Sequence, residues 1–138
     1  MRRPRMLTSC LAVLSLYACL SAGGAERGRL PAGAWGGSHI RLDVTEEGAT
    51  VELDCAHGTI RGPILPGADG RFEAAGTYVQ EHGGPEREGE EREGRPARYS
   101  GRVEGSTLTL TIALNGADET IGTFTLARGK AARLTKCL

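Results

Sequence analysis

Three histidines, His39, His57 and His82, are the residues of this chain best suited to chemistry, because an imidazole exchanges protons near neutral pH and ligates zinc or copper. In a simple antiparallel meander His39 opens one strand, His57 closes the next and His82 closes the fourth, so all three fall at the same end. Alternation sets His57 in the inward series of Val51, Leu53 and Cys55, and His82 in that of Phe72, Gly76 and Tyr78, whereas His39 points away from the face of Ile40. His57 and His82 are thus a candidate metal pair, with Glu81, Asp118 or a carbonyl oxygen to complete the shell. No His-x-His or His-x-x-x-His spacing preorganises them. Turn histidines without a metal are therefore the leading expectation, and no cofactor is called for.

Catalytic arrangements fare no better. Ser38 and His39 are adjacent, and neighbours on a strand face opposite ways, so neither can activate the other. Ser100 lies in Tyr-Ser-Gly-Arg and lacks the Gly-x-Ser-x-Gly elbow. His82-Gly83-Gly84 is similar to the oxyanion loop of some esterases, but those are parallel α/β folds. Paired acids such as Glu81 and Asp118 could be drawn from almost any chain of this kind. The expectation is a protein that is not an enzyme.

The cysteines need the chain's first residues to be understood. Arg2, Arg3 and Arg5, an apolar run over 6–18 and the small residues of 21–25 have the layout of a cleaved export signal over 1–25, too short to span a membrane. Cleavage after Ala25 uses Gly23 and Ala25 at the recognition positions. Alternatively, Leu16-Tyr17-Ala18-Cys19 resembles the bacterial lipobox, which implies a lipoprotein signal over 1–18 and a lipidated Cys19, although Tyr17 departs from the small residue that the pattern wants. Residues 26–33 then form a flexible linker and 34–138 the working domain. After the cut at Ala25 about 110 residues remain, with fourteen basic against seventeen acidic residues and a net charge of −3. That balance gives no reason to expect nucleic acid or an anionic membrane as partner.

Cys10 and Cys19 go with the signal, leaving Cys55 and Cys137. In an oxidising compartment such a pair is most simply a disulfide, closing a loop of about eighty residues. Its contribution would be on the order of 3–5 kcal/mol. A redox-active pair would be expected to have the Cys-x-x-Cys spacing, which is missing.

The elements that must position these residues are strands. Ile40, Leu42 and Val44 alternate with polar residues, as do Val51, Leu53 and Cys55, with turns at 46–48 and 56–58. Segment 59–65 carries Gly62 and Pro63 and reads as a bulged or edge strand. Further strands cover 72–82, 97–103, 108–114 and 119–127, the last with a bulge near Gly122 because Ile121 breaks the phase of Gly122, Phe124 and Leu126. A weak eighth strand runs over 131–138. Seven to eight short strands with tight turns predict an all-β fold, an up-and-down antiparallel β-barrel or a small sandwich. Gly76, Gly101 and Gly122 favour the barrel, where strands bend sharply. Pro63 speaks against it, since it removes a wall donor.

A disulfide tests that topology. An eighth strand would bring Cys137 to the end where Cys55 lies, but strands flanking a common neighbour sit about 9–10 Å apart, too far for the bond. The tail must therefore leave the ladder and cross the end of the sheet, or the order is not a plain meander.

Gly33-Ala34-Trp35, just ahead of the first expected strand, resembles the Gly-x-Trp signature that opens the barrels of the calycins, the lipocalin and avidin group. The chain as a whole also resembles small exported bacterial β-barrel proteins of uncharacterised function. The calycin likeness implies that Trp35 plugs one end of the barrel and that a small hydrophobic ligand enters at the other. It also conflicts with an open histidine site, because Trp35 lies at the histidine end.

The expected function is that of an exported, non-enzymatic β-barrel, a monomer, that binds an unidentified protein or small ligand in the bacterial envelope or outside it. A lipid anchor at Cys19 would be its one membrane attachment. The alternatives are a calycin-like carrier of a hydrophobic ligand and a His57/His82 metal binder. The loop over 83–95, rich in Glu and Arg, reads as a solvated, mobile connection or as a recognition loop.

Overall fold

Alternation of buried apolar with exposed polar side chains carries through nearly the whole of the folded region, and each run of it is a strand. A computed structural model describes residues 28–85, 94–116 and 119–137. The strands are β1 (Gly33–Gly37), β2 (Ile40–Val44), β3 (Gly48–Leu53), β4 (Ala56–Arg61), β5 (Arg71–Gln80), β6 (Arg95–Glu104), β7 (Thr107–Leu114) and β8 (Glu119–Arg128). Each pairs antiparallel with the next, and β8 pairs with β1, giving a closed eight-stranded barrel in plain meander order. The expected signal over 1–25, with Cys10 and Cys19, lies outside the described residues. So do Asp118 and the central part of loop 83–95, residues 86–93.

Closure is achieved differently from the sequence expectation. The eighth wall position is taken by β1, built on Gly33-Ala34-Trp35, and not by 131–138, which forms no strand. β1 meets β8 at three pairs, Trp35 with Arg128, Gly36 with Ala127 and Gly37 with Leu126. The strand expected over 59–65 is instead β4, so Pro63 lies in the following loop and leaves the wall intact. The bulge is where the phase break at Ile121 puts it. Ile112 pairs with Gly122 and Ala113 with Thr120, so that Ile121 is the extra residue.

The barrel interior is filled. Among the described residues twenty apolar ones are buried, and the largest that are almost fully enclosed are Trp35 and Tyr99. Space for the rings comes from glycine. Tyr99 on β6 reaches across β5 to β4, where a Cβ on Gly76 would lie 2.9 Å from its ring and one on Gly58 would strike its hydroxyl. Tyr99 Oη donates to the carbonyl of Thr77 at 2.5 Å. Burial pushes its pKa up, helped by Tyr78 nearby, so the hydroxyl stays a donor. Phe72 lies over Gly101 and Phe124 over Gly122 in the same manner. Trp35 is inside the wall, paired with Leu42, and not at the histidine end as expected. Its indole N–H has no acceptor among the described residues.

The end opposite the histidines is closed by Leu30, read above as linker, and Ile64. Both are buried, and the Leu30 N–H donates to the Ile64 carbonyl at 2.8 Å. Two such side chains contribute about 1.5–3 kcal/mol each by leaving water.

A methyl group at Gly76 has no room, since it would run into the Thr59 carbonyl as well as the Tyr99 ring. Gly76→Ala is expected to lower stability by about 2–3 kcal/mol. Tyr99→Phe, which removes one hydrogen bond, should cost about 1 kcal/mol. Urea denaturation followed by Trp35 fluorescence measures both, and the order of the two losses checks the packing account.

Candidate functional site

In a closed meander the turns alternate between two ends, and the connections β1–β2, β3–β4 and β5–β6 share one of them. His39 lies in the first, His57 begins the strand after the second and His82 lies in the third, so the three histidines do gather at one end. Their orientations depart from expectation. β3 stops at Leu53, and Asp54 and Cys55 make a two-residue turn, so Leu53 faces Ala56 and the phase reverses. Cys55 is consequently a turn residue, and His57 is exposed on the outer wall. β5 stops at Gln80, which leaves His82 beyond the wall and exposed, with its Nδ1 3.2 Å from the Gly83 carbonyl. His57 and His82 do not converge inside a mouth.

Two histidine–carboxylate pairs are what the fold assembles instead. The β2–β3 hairpin places Ile40 opposite Leu53, and one step further along that register His39 meets Asp54, with Nδ1 and Oδ2 2.6 Å apart. Register of β4 with β5, continued one step beyond Ala56 and Gln80, places Glu81 opposite Cys55, whose carbonyl accepts the Glu81 N–H at 2.8 Å. Glu81 Oε1 is then 2.7 Å from His57 Nδ1. An ionised carboxylate only accepts, so each Nδ1 carries its proton, and in a neutral ring the lone pair sits on Nε2. The two histidine side chains are 66% and 46% exposed. His39 also holds a left-handed backbone, with φ of 68°. A non-glycine residue adopts this only where its surroundings fix it.

The C-terminal tail completes the end. Beyond Gly129 it runs outside β1, where Gly36 has no side chain to block the backbone of Lys130–Ala132. Arg133 donates to the Gly37 carbonyl and accepts from the His39 N–H. Thr135 N–H donates to Asp54 Oδ1 at 2.8 Å. Lys136 Nζ donates to the Leu53 carbonyl at 3.1 Å and lies 3.5 Å from Glu81 Oε2. Cys137 bonds to Cys55 with their Cα atoms 5.2 Å apart. The distance conflict raised by a strand-borne Cys137 disappears because neither cysteine is on a strand and the tail has left the ladder.

Each carboxylate is therefore shared between a histidine and the tail. Asp54 is held below the usual carboxylate range chiefly by the Thr135 amide, then by His39 and the charge of Lys136. Glu81 is held below it chiefly by His57, then by Lys136. Beside His57 a shallow outer-wall cavity of about 490 Å³ is lined by Arg41, Asp43, Glu52, Thr59 and Glu81 among others. Larger hollows of about 600 and 750 Å³, on the β5–β7 wall and at the opposite end, contain no histidine. No three His, Cys, Asp or Glu side chains among the described residues converge to hold a metal ion.

No protein-family model, curated protein or solved structure matches this chain. The site is accordingly read from its own geometry. Asp54 and Lys136 were absent from the sequence expectation, and His39 was read there as facing away. The register of the β2–β3 hairpin was the signal that could have paired His39 with Asp54.

A lowered carboxylate pKa stabilises the fold fully above the unfolded value, and that stabilisation is lost as pH falls through the folded one. Asp54 and Glu81 should therefore make stability fall as pH drops from about 5 to about 2. In Asp54→Asn with Glu81→Gln that part of the slope is expected to vanish. Urea midpoints measured across the range check this.

Proposed function

We propose that this chain is an exported binding protein that works without catalysis and engages a partner protein or small ligand at its histidine end. The observation that carries this reading is the division of the molecule. Its interior holds Trp35, Tyr99 and eighteen other residues buried among those described, while exposed histidine–carboxylate pairs are gathered at one end. A filled interior favours recognition on the outside of the wall over carriage within it. This ranks the outer-surface reading above a calycin-like carrier.

Export is supported by two observations. The first 25 residues have the layout of a signal, and the Cys55–Cys137 disulfide suits an oxidising compartment. Such a protein is a monomer, free in the envelope or outside it. The alternative at Cys19 makes it a tethered lipoprotein, its membrane contact limited to the anchor. Nothing in its charge calls for nucleic acid.

Intact mass of the protein made in its own host tests the export part. The expected mass lacks 1–25, or begins at a lipid-bearing Cys19, and is short of two hydrogens for the disulfide. A full-length mass would refute it. The binding part is read by a photo-crosslinking residue placed at Gly83, at the histidine end, or at Glu104, at the other. Adducts are expected from position 83 and not from 104. Equal yields at the two positions would remove the assignment to the histidine end.

A further inference from the structure

Residues 130–137 contribute nothing to the core, whose last member is Leu126, yet the wall is shaped to receive them. Gly36 clears their path, Asp54 and Glu81 each give them a carboxylate oxygen, and a covalent bond fastens their end. A tail fastened at its end by a covalent bond and with no share in the core is a separable part.

We propose that the Cys55–Cys137 disulfide is a redox latch, opened by a dithiol reductant, which frees the tail from the histidine end while the barrel stays closed. The β1–β8 seam is made by residues 35–37 with 126–128 and uses no atom of the tail. Once the bond is cut, the tail keeps the Lys130 N–H bond to the Ala127 carbonyl, one backbone hydrogen bond donated and one accepted by Arg133, the Thr135 and Lys136 hydrogen bonds, and the exposed ion pair of Lys136 with Glu81. Exposed ion pairs hold little, and ordering eight residues has an entropic cost that so few contacts meet poorly.

The exchange is a two-electron reduction. Cys137 is exposed and Cys55 half-buried, so the incoming thiolate attacks Cys137 Sγ. The disulfide breaks, and Cys55 leaves as a thiolate and takes up a proton. The second thiol of the reductant then attacks the mixed disulfide, Cys137 leaves in the same way, and the reductant departs as its own disulfide. Release takes Thr135 from Asp54 and Lys136 from Glu81, so the charge beside His39 and His57 changes with redox state. What that change would control rests on the reading of this end as the binding surface; the latch itself does not.

Limited trypsin digestion of the full-length oxidised protein, with and without dithiothreitol, tests the latch, since Lys130, Arg133 and Lys136 all lie in the tail. Cleavage there, read bond by bond by mass, is expected to rise about tenfold or more on reduction, because proteolysis follows the open population. Circular dichroism and Trp35 fluorescence should remain those of the folded barrel. Cys137→Ser should be cut at the fast rate whether or not reductant is present. A tail still protected after reduction, a disulfide that dithiothreitol leaves intact in native buffer, or loss of the barrel signal together with the tail would each overturn the latch. Crosslinking at Gly83 reads the binding surface separately, so the two failures are distinguishable.

Discussion

An antiparallel sheet of eight strands presents two rows of unpaired peptide groups until its first and last strands meet, and in this chain that meeting is three residue pairs long. The strand that makes it, β1, has five residues, three of them glycine. So short a seam depends on its inner side, where Trp35 packs its ring against the core. The tail lies across Gly36 on the outer side without taking part in the pairing. The same seam sets the geometry of the histidine end, because the turn leaving β1 carries His39 to Asp54.

The filled interior follows from a second constraint, the small number of aromatic residues. Five buried or half-buried rings occupy the core with the aliphatic residues, and three of them, Phe72, Tyr99 and Phe124, are laid over a glycine of their own or a neighbouring strand. Glycine here does two things, bending the strand and making room for the ring. That arrangement explains how a chain with few aromatics packs the core of a barrel. It also moves recognition to the surface.

Period-two alternation made most of the wall legible in the sequence. Residues 40–44, 108–114 and 119–127 were placed in strands correctly, the last with its bulge. β1 was missed because Gly33, Gly36 and Gly37 supply no alternation, and because its outer face carries no polar residue, only the exposed Ala34, and Gly36 beneath the tail backbone. The tail was mistaken for a strand for the complementary reason, since its mixture of Ala, Arg, Leu and Lys imitates a half-exposed wall. The phase error at His57 has a local cause. The turn at Asp54-Cys55 has no glycine, proline or asparagine to mark it, so the series Val51, Leu53, Cys55 ran on unbroken. Cysteine counting found the disulfide, whereas the carboxylates that share the histidines with the tail depend on register and were out of reach of pattern alone.

The three-pair seam is also the contact whose two sides lie farthest apart along the chain. Seven of the eight strand pairings join neighbours in sequence, the longest connection among them being 81–94, but the eighth brings residue 35 to residue 128 and closes by far the longest loop. The tail runs across Gly36 of the strand that makes this contact and ends bonded to the β3–β4 turn at Cys55. One covalent bond therefore ties the end of the chain across the place where the wall is narrowest in pairing.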